Sequence, residues 1–102
     1  MSDRFITPCP LPTAHERELL IILMEECAEV QQRASKLIRF GRDEVQPGQE
    51  LPNSARLGEE IGDIICMVEL LQAAEIVRDN DIETGRARKQ RKLAKYLQTE
   101  PA

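Results

Sequence analysis

Two stretches of this chain carry apolar residues at steps of three and four, and this period constrains the fold more than any other feature. The first stretch lies between Thr13 and about Phe40, and the second runs from Asn53 or Ser54 to about Ile76. Steps of three and four return a side chain to the same face of an α-helix, so both stretches are predicted to be helical. The chain has only three aromatic residues, which disfavours a β-sandwich. We therefore predict an all-α fold.

The residues around the first stretch are typical of helix ends. Thr13 with Glu16 forms a capping-box pattern, and Gly41 follows the last apolar repeat. The sequence between the two stretches is GRDEVQPGQELPN, which is rich in turn formers. We predict two long antiparallel helices joined by an inter-motif loop over 41–53, with Asn53 or Ser54 as the cap of the second helix.

The two ends of the chain differ from this central part. Prolines alternate at positions 8, 10 and 12, which prevents a helix and predicts an extended N-terminal arm over 1–13. Near the other end, the polar stretch RDNDIETG predicts a break, and a shorter, basic third helix is expected from Arg86 to Leu97. The 102 residues suit one domain.

The middle of the second predicted helix, IICMVELLQAA, is apolar on almost every side. One neighbouring helix cannot cover such a segment. We therefore expect a helical bundle that is completed by homo-oligomerisation, as a dimer or a dimer of dimers. Cys27 and Cys66 fall within apolar helical patterns and are interpreted as reduced core residues.

Charge is unevenly distributed along the chain. The net charge is −4, but the segment from Gly85 to Tyr96 carries six Lys or Arg and no acid, so the remainder carries −10. The apolar runs are too short to cross a bilayer, which takes about 20 residues. The first residues do not resemble a secretory signal, so a cytoplasmic location and no membrane partner are expected.

The residues that indicate a functional site are acidic. Glu26 and Glu29 are three apart on the first helix, and Glu60 and Asp63 are three apart on the second. Residues at this spacing lie on the same helix face, so each pair can act as a two-carboxylate clamp. Antiparallel packing would let the two clamps face each other. Carboxylates gathered beside an apolar core lose hydration and repel one another unless a cation lies between them.

A hard divalent cation fits this donor set, since Mg²⁺ prefers oxygen ligands and is commonly bound by carboxylates together with phosphates. Mn²⁺ is a possible substitute. The chain contains no Glu-x-x-His motif, which argues against a di-iron carboxylate bundle. For one pair alone, a solvated helix face is the better interpretation. Two pairs at matching spacing, each beside an apolar stripe, favour a metal site.

The strings EECAE and EEIGD resemble the EExxE…ExxD signature of the MazG-like all-α nucleotide pyrophosphohydrolases. The resemblance extends over about residues 16 to 97. It implies a homo-oligomeric helical bundle that binds Mg²⁺ and hydrolyses a nucleoside triphosphate between the α and β phosphates to a monophosphate and pyrophosphate. The linker between the motifs is rather long for the family and, with RFGRDEVQPGQ, resembles phage-type MazG-like proteins.

The resemblance assigns roles residue by residue. The metal ligands are expected to be Glu26, Glu29, Glu60 and Asp63. The expected catalytic acids, which orient or deprotonate the attacking water, are Glu25, Glu29 and Glu59. Lys92 and Lys95 loosely match the family's downstream lysines and are expected to contact phosphates. Lys36 and Arg39 could balance the remaining phosphate charge or could equally be surface cations.

Three alternatives stay open on the sequence alone. Within the same class, the enzyme could be restricted to dUTP or could be a phosphoribosyl-ATP pyrophosphatase. The basic stretch GRARKQRKLAK is also typical of nucleic-acid binding, although the acidic body and the scarcity of aromatic residues argue against it. Lastly, a helical oligomer could bind metal for stability alone.

Overall fold

The computed structural model describes residues 9–102, which form three α-helices and, within that range, no strand. They are α1 (Ala14–Phe40), α2 (Asn53–Ala73) and α3 (Asp79–Tyr96). The predicted all-α class is confirmed. Residues 1–8 of the predicted arm lie outside the described part of the chain, and residues 9–13 are not helical.

Both predicted ends of α1 are confirmed. The Thr13 hydroxyl accepts a hydrogen bond from the Glu16 backbone N–H (3.1 Å), and the Glu16 carboxylate accepts one from the Thr13 N–H (2.9 Å). At the other end, Gly41 adopts φ +91° and its N–H donates to the Leu37 carbonyl at 2.9 Å. A positive φ is readily accessible only to glycine, so the helix stops here.

α1 and α2 pack against each other in antiparallel directions. Leu19, near the start of α1, joins Met67 and Leu71, near the end of α2, in the buried core. Among the buried and half-buried positions of each helix, one series recurs at alternating steps of three and four, which is the spacing of helices packed side by side. We call this interface the seam. Its residues are Leu19, Leu23, Glu26, Val30, Arg33 and Leu37 on α1, and Asn53, Leu57, Glu60, Ile64, Met67 and Leu71 on α2.

Asn53 holds the loop between the two helices, and its predicted role as a helix cap is wrong. Pro52 takes the cap position, while Asn53 is the first residue of α2 and is only 1% exposed. Its side-chain amide donates to the Gly41 carbonyl at 2.9 Å and to the Glu44 carboxylate at 3.1 Å. Because the side chain is directed into the loop, it is not available to cap the helix.

The break before α3 is shorter than predicted. α2 ends at Ala73 instead of continuing to Ile76, and Glu75 adopts a left-handed conformation with φ +59°. α3 begins at Asp79 instead of Arg86, so most of the stretch RDNDIETG is helical. Asp79 and Asp81 lie in its first turn, where acids interact favourably with the helix dipole. The polar composition therefore marked a helix start and not a break.

The third helix contributes little to the packing of the protomer. α1 and α2 share an extensive interface, whereas α3 makes only slight contact with the remainder. The molecule measures 61 × 37 × 22 Å with a radius of gyration of 18.8 Å. A compact chain of about 100 residues has a radius of gyration near ~13 Å. The described part of the protomer is thus elongated.

Several apolar side chains lie on the outside of the α1–α2 pair. Met24 is 70% exposed and Ile65 is 54% exposed. Cys27 and Cys66 are exposed free thiols, so their predicted place in the core is wrong for the single chain. They lie outside the seam, on faces that α1 and α2 do not cover for each other. Within residues 9–102, no helix combines the length and the hydropathy that crossing a membrane requires.

Candidate metal centre

Glu26, Glu60 and Asp63 form a carboxylate cluster at the middle of the seam. One carboxylate oxygen from each residue lies within 4.8 Å of the others. The spacing of three places Glu60 and Asp63 on the same face of α2. Antiparallel packing brings Glu26 of α1 to the same level. The structure therefore brings together three of the four predicted metal ligands.

The cluster is partly desolvated because two of its members occupy seam positions. Glu26 and Glu60 are half-buried, whereas Asp63 is exposed. Burial raises the pKa of Glu26 above its ordinary value, and the nearby negative charges of Asp63 and Glu60 raise it further. The charged form of a carboxylate is less stable in this position than in water. A bound cation would reverse that preference.

One oxygen of the cluster is left without a partner. Glu60 Oε2 is buried and has no hydrogen-bond partner among the described residues. Buried polar atoms are almost always paired, so an orphaned carboxylate oxygen calls for an explanation. A hard divalent cation fits, because carboxylate oxygens are the ligands it prefers and because its charge would offset the repulsion within the cluster.

Glu29, the fourth predicted ligand, is directed elsewhere. Its Oε2 lies 3.9 Å from Nη2 of Arg33, one turn further along α1. This is an ion pair that is too long for a hydrogen bond. The Glu29 side chain is 43% exposed, which leaves it room to take another rotamer. Its role as a metal ligand stays a prediction.

The predicted catalytic acids Glu25 and Glu59 are both exposed and immediately precede Glu26 and Glu60. Successive residues on a helix point in directions about 100° apart, so these two acids lie beside the seam and not within it. They are therefore on the solvent side of the cluster, where a water molecule has access.

The four predicted phosphate-binding cations are spread over two regions. Lys36 and Arg39 lie near the end of α1, where both pack over the Phe40 ring, at 5.7 and 4.8 Å from its centroid. Lys92 and Lys95 are exposed on α3, and the Lys95 ammonium lies 5.5 Å from the Tyr96 ring centroid. Within residues 9–102, none of the four forms an ion pair with the carboxylate cluster.

Arg33 is a largely buried charged residue of α1 that the sequence analysis did not single out. Its side chain is only 16% exposed and occupies a seam position. The signal was present in the sequence, because Leu19, Leu23, Glu26, Val30, Arg33 and Leu37 continue one alternating three–four pattern. Two charged residues within an apolar pattern indicate a polar site inside a helix interface.

Comparison with known proteins adds no assignment at this point. No family model matches the chain, and the searches of curated proteins and of solved structures find no match either. The resemblance to MazG-like enzymes therefore rests on the two acidic motifs and on their spacing.

Proposed function

We propose that this protein is a divalent-cation-dependent nucleoside triphosphate pyrophosphohydrolase of the MazG-like type. The observation that carries the proposal is the cluster of Glu26, Glu60 and Asp63, in which a buried carboxylate oxygen of Glu60 has no partner. Water adds across the anhydride between the α and β phosphates, and the products are a nucleoside monophosphate and pyrophosphate. The position of cleavage comes from the resemblance of EECAE and EEIGD to the family signature.

The cluster residues would hold the cation, Mg²⁺ or Mn²⁺, and Glu29 would join them by a change of rotamer. A bound divalent cation neutralises phosphate charge and lowers the pKa of a water molecule bound to it. Glu25 and Glu59, exposed beside the cluster, would accept a proton from the attacking water. The cations on α1 and α3 would bind the rest of the polyphosphate.

The proposal includes a homo-oligomer. The exposed apolar side chains on α1 and α2 support it, because the single chain leaves them in water. A second copy packed on this face would complete a four-helix arrangement from two α1–α2 pairs. The substrate range of the proposed enzyme is open between dNTPs in general, dUTP alone and phosphoribosyl-ATP. It depends on the shape of the pocket that such packing would create.

The test is pyrophosphate release from a panel of NTPs and dNTPs, including dUTP, with Mg²⁺. We expect Glu60→Gln and Asp63→Asn each to lower kcat/KM by at least about 100-fold, because each removes a carboxylate from the cation. Glu29→Gln is expected to lower activity as well. Glu69→Gln, which removes an exposed acid of α2 outside the cluster, is the matched control and should retain activity.

Two results would contradict the proposal. One is wild-type turnover in Asp63→Asn. The other is a wild-type protein that releases no pyrophosphate from any nucleotide at any Mg²⁺ concentration. A chelator that lowers the melting temperature while no nucleotide is hydrolysed would favour a metal that serves stability alone.

A second function, nucleic-acid binding, is favoured by one observation. The basic residues of α3 are exposed, and the helix makes only slight contact with the rest of the protomer. Binding to DNA that weakens steeply with added salt, together with an absence of nucleotide hydrolysis, would support this second function over the first.

A further inference from the structure

Arg33, like Glu60, has a buried side-chain atom with no hydrogen-bond partner within residues 9–102, but its side chain is positively charged. Its Nε is buried and has no hydrogen-bond partner among the described residues. Its one ion-pair partner there, Glu29, lies 3.9 Å away. A guanidinium keeps its charge at every physiological pH, and here the Nε–H, one of its five N–H donors, is buried without an acceptor in the described part of the chain.

Both atoms belong to seam residues, as does a third buried atom that is unpaired among the described residues, Oδ1 of Asn53, which is a neutral amide oxygen, whereas Glu60 and Arg33 are charged. Arg33 follows Glu26 by seven residues on α1, which corresponds to about 10 Å along the helix axis. Helical side chains lean toward the N-terminus, so the Arg33 side chain leans back toward the turns that carry Glu29 and Glu26. The seam therefore has an unpaired acceptor at Glu60 and an unpaired donor at Arg33, on the same side of the loop 41–53.

A ligand that satisfies both atoms has a positive and a negative part close together. A divalent cation would pair with the Glu60 oxygen, and an oxyanion would pair with the Arg33 guanidinium. Phosphate oxygens suit a guanidinium particularly well, because the planar fork of N–H donors can bind two oxygens at once. A cation bound to a nucleotide polyphosphate has this arrangement of charge.

We propose that Arg33 binds a phosphate group of the substrate, and that Glu29 holds it in reserve until the cation arrives. In the structure, the Glu29 carboxylate lies 3.9 Å from the Arg33 guanidinium. If Glu29 turned to the carboxylate cluster to bind the cation, the guanidinium would be free to donate to phosphate oxygens. This inference rests on the proposed function and deepens it by naming a phosphate-binding residue.

The experiment separates cation binding from phosphate binding. Calorimetry measures the affinity for Mn²⁺ alone, and then the affinity for an α,β-methylene nucleoside triphosphate at saturating Mn²⁺. Arg33→Gln is expected to bind Mn²⁺ alone about 1.5- to 5-fold more tightly, because Glu29 no longer has a competing partner. The same variant is expected to bind the analogue about 10- to 100-fold more weakly, because a charge-assisted hydrogen bond is lost.

The matched control is Arg17→Gln. Arg17 is exposed on the same helix, nine residues before Glu26, and its substitution removes the same charge at a similar distance along the axis. Both affinities of this variant should stay within about twofold of wild type, since exposed charges at this separation are largely screened. Opposite changes in the two affinities of Arg33→Gln cannot arise from a general loss of structure.

Arg33→Lys covers the case in which Arg33→Gln does not fold. It keeps the charge but not the planar fork of N–H donors, so Mn²⁺ affinity should stay near wild type while the analogue binds several-fold more weakly.

The inference is overturned if Arg33→Gln lowers both affinities together, or if both Arg33 variants bind the analogue like wild type. A wild-type protein that binds no Mn²⁺ would instead overturn the proposed metal centre and this inference with it. Tight binding of the analogue by wild type, together with no pyrophosphate release from any natural NTP or dNTP, would overturn the hydrolase and leave the role of Arg33 in phosphate binding standing.

Discussion

At the scale of single residues, the notable feature is that charged side chains occupy positions of an apolar pattern. Glu26 and Glu60 lie in the seam between two helices and lose part of their hydration there. An acid in that position destabilises the fold in its charged form unless a cation or a hydrogen-bond donor accompanies it. The proposed function and the stability of the fold therefore make opposite demands at this point of the chain.

The raised pKa of Glu26 leads to a prediction about pH. The Glu26 carboxyl binds its proton more tightly in the folded chain than in the unfolded chain. Without metal, the stability that Glu26 contributes therefore falls as the pH rises from the ordinary glutamate pKa of 4.5 through the raised pKa of the folded state. Glu26→Gln does not ionise. We expect it to be more stable than wild type at neutral pH in the presence of EDTA, and the difference to disappear below the ordinary pKa.

Chemical denaturation at pH 4 and pH 7 measures this difference. Equal stability of the two proteins at both pH values would contradict the prediction. Added Mn²⁺ should reverse the order at neutral pH, because only wild type retains the full set of ligands and a ligand that binds the folded state stabilises it.

At the scale of the elements, the α1–α2 pair depends on the loop that joins it. Asn53 is fully buried and its amide group donates to the Gly41 carbonyl and the Glu44 carboxylate. Its backbone N–H donates to the Glu44 carbonyl at 2.9 Å. These bonds join the end of α1, the loop and the start of α2. They therefore set the register that places Glu26 beside Glu60 and Asp63.

Asn53→Ala should accordingly lower the free energy of unfolding by about 1–3 kcal/mol, because it removes two hydrogen bonds. It leaves the Gly41 carbonyl without its side-chain donor, whereas the Glu44 carboxylate keeps a hydrogen bond from Gln46. Ser54→Ala is the matched control. Ser54 is the exposed next residue, and its backbone N–H bond to the Arg42 carbonyl does not involve the side chain. Urea denaturation compares the two variants, and equal stabilities would show that the loop is not held by Asn53.

At the scale of the whole molecule, the elongated shape and the exposed apolar side chains have one common explanation. α3 makes only slight contact with α1 and α2 and therefore covers little of their surface. The outer faces of these two long helices stay exposed in the single chain. The faces left open carry Ile61 and Ile65 on α2, at a spacing that places them on the same side of the helix.

We expect the protein to be oligomeric at micromolar concentration, with a mass by light scattering that is a multiple of 11.6 kDa. Ile65→Arg should shift the mass toward that of the single chain, because it places a charge within the apolar face. Gln31→Arg, which alters an exposed polar position of α1, is the control. A wild-type mass of 11.6 kDa would contradict the prediction.

Features that depend on neighbours along the chain could be predicted from the sequence. The helical period, the capping box at Thr13 and the stop at Gly41 involve residues a few positions apart, so local rules were sufficient. The spacing of Glu60 and Asp63 on one face of α2 followed from the same geometry. The all-α class and the approximate position of the acidic site could therefore be predicted.

Contacts between residues of different elements could not be predicted and depend on how the helices pack. The pairing of Glu29 with Arg33, the burial of Asn53 within the loop and the exposure of Cys27 and Cys66 all depend on the face that the other helix covers. The start of α3 at Asp79 also differs from the prediction, because a polar stretch suits a solvent-exposed helix as well as a loop. Local periodicity does not specify how two helices rotate against each other, and that rotation determines which charged residues are desolvated.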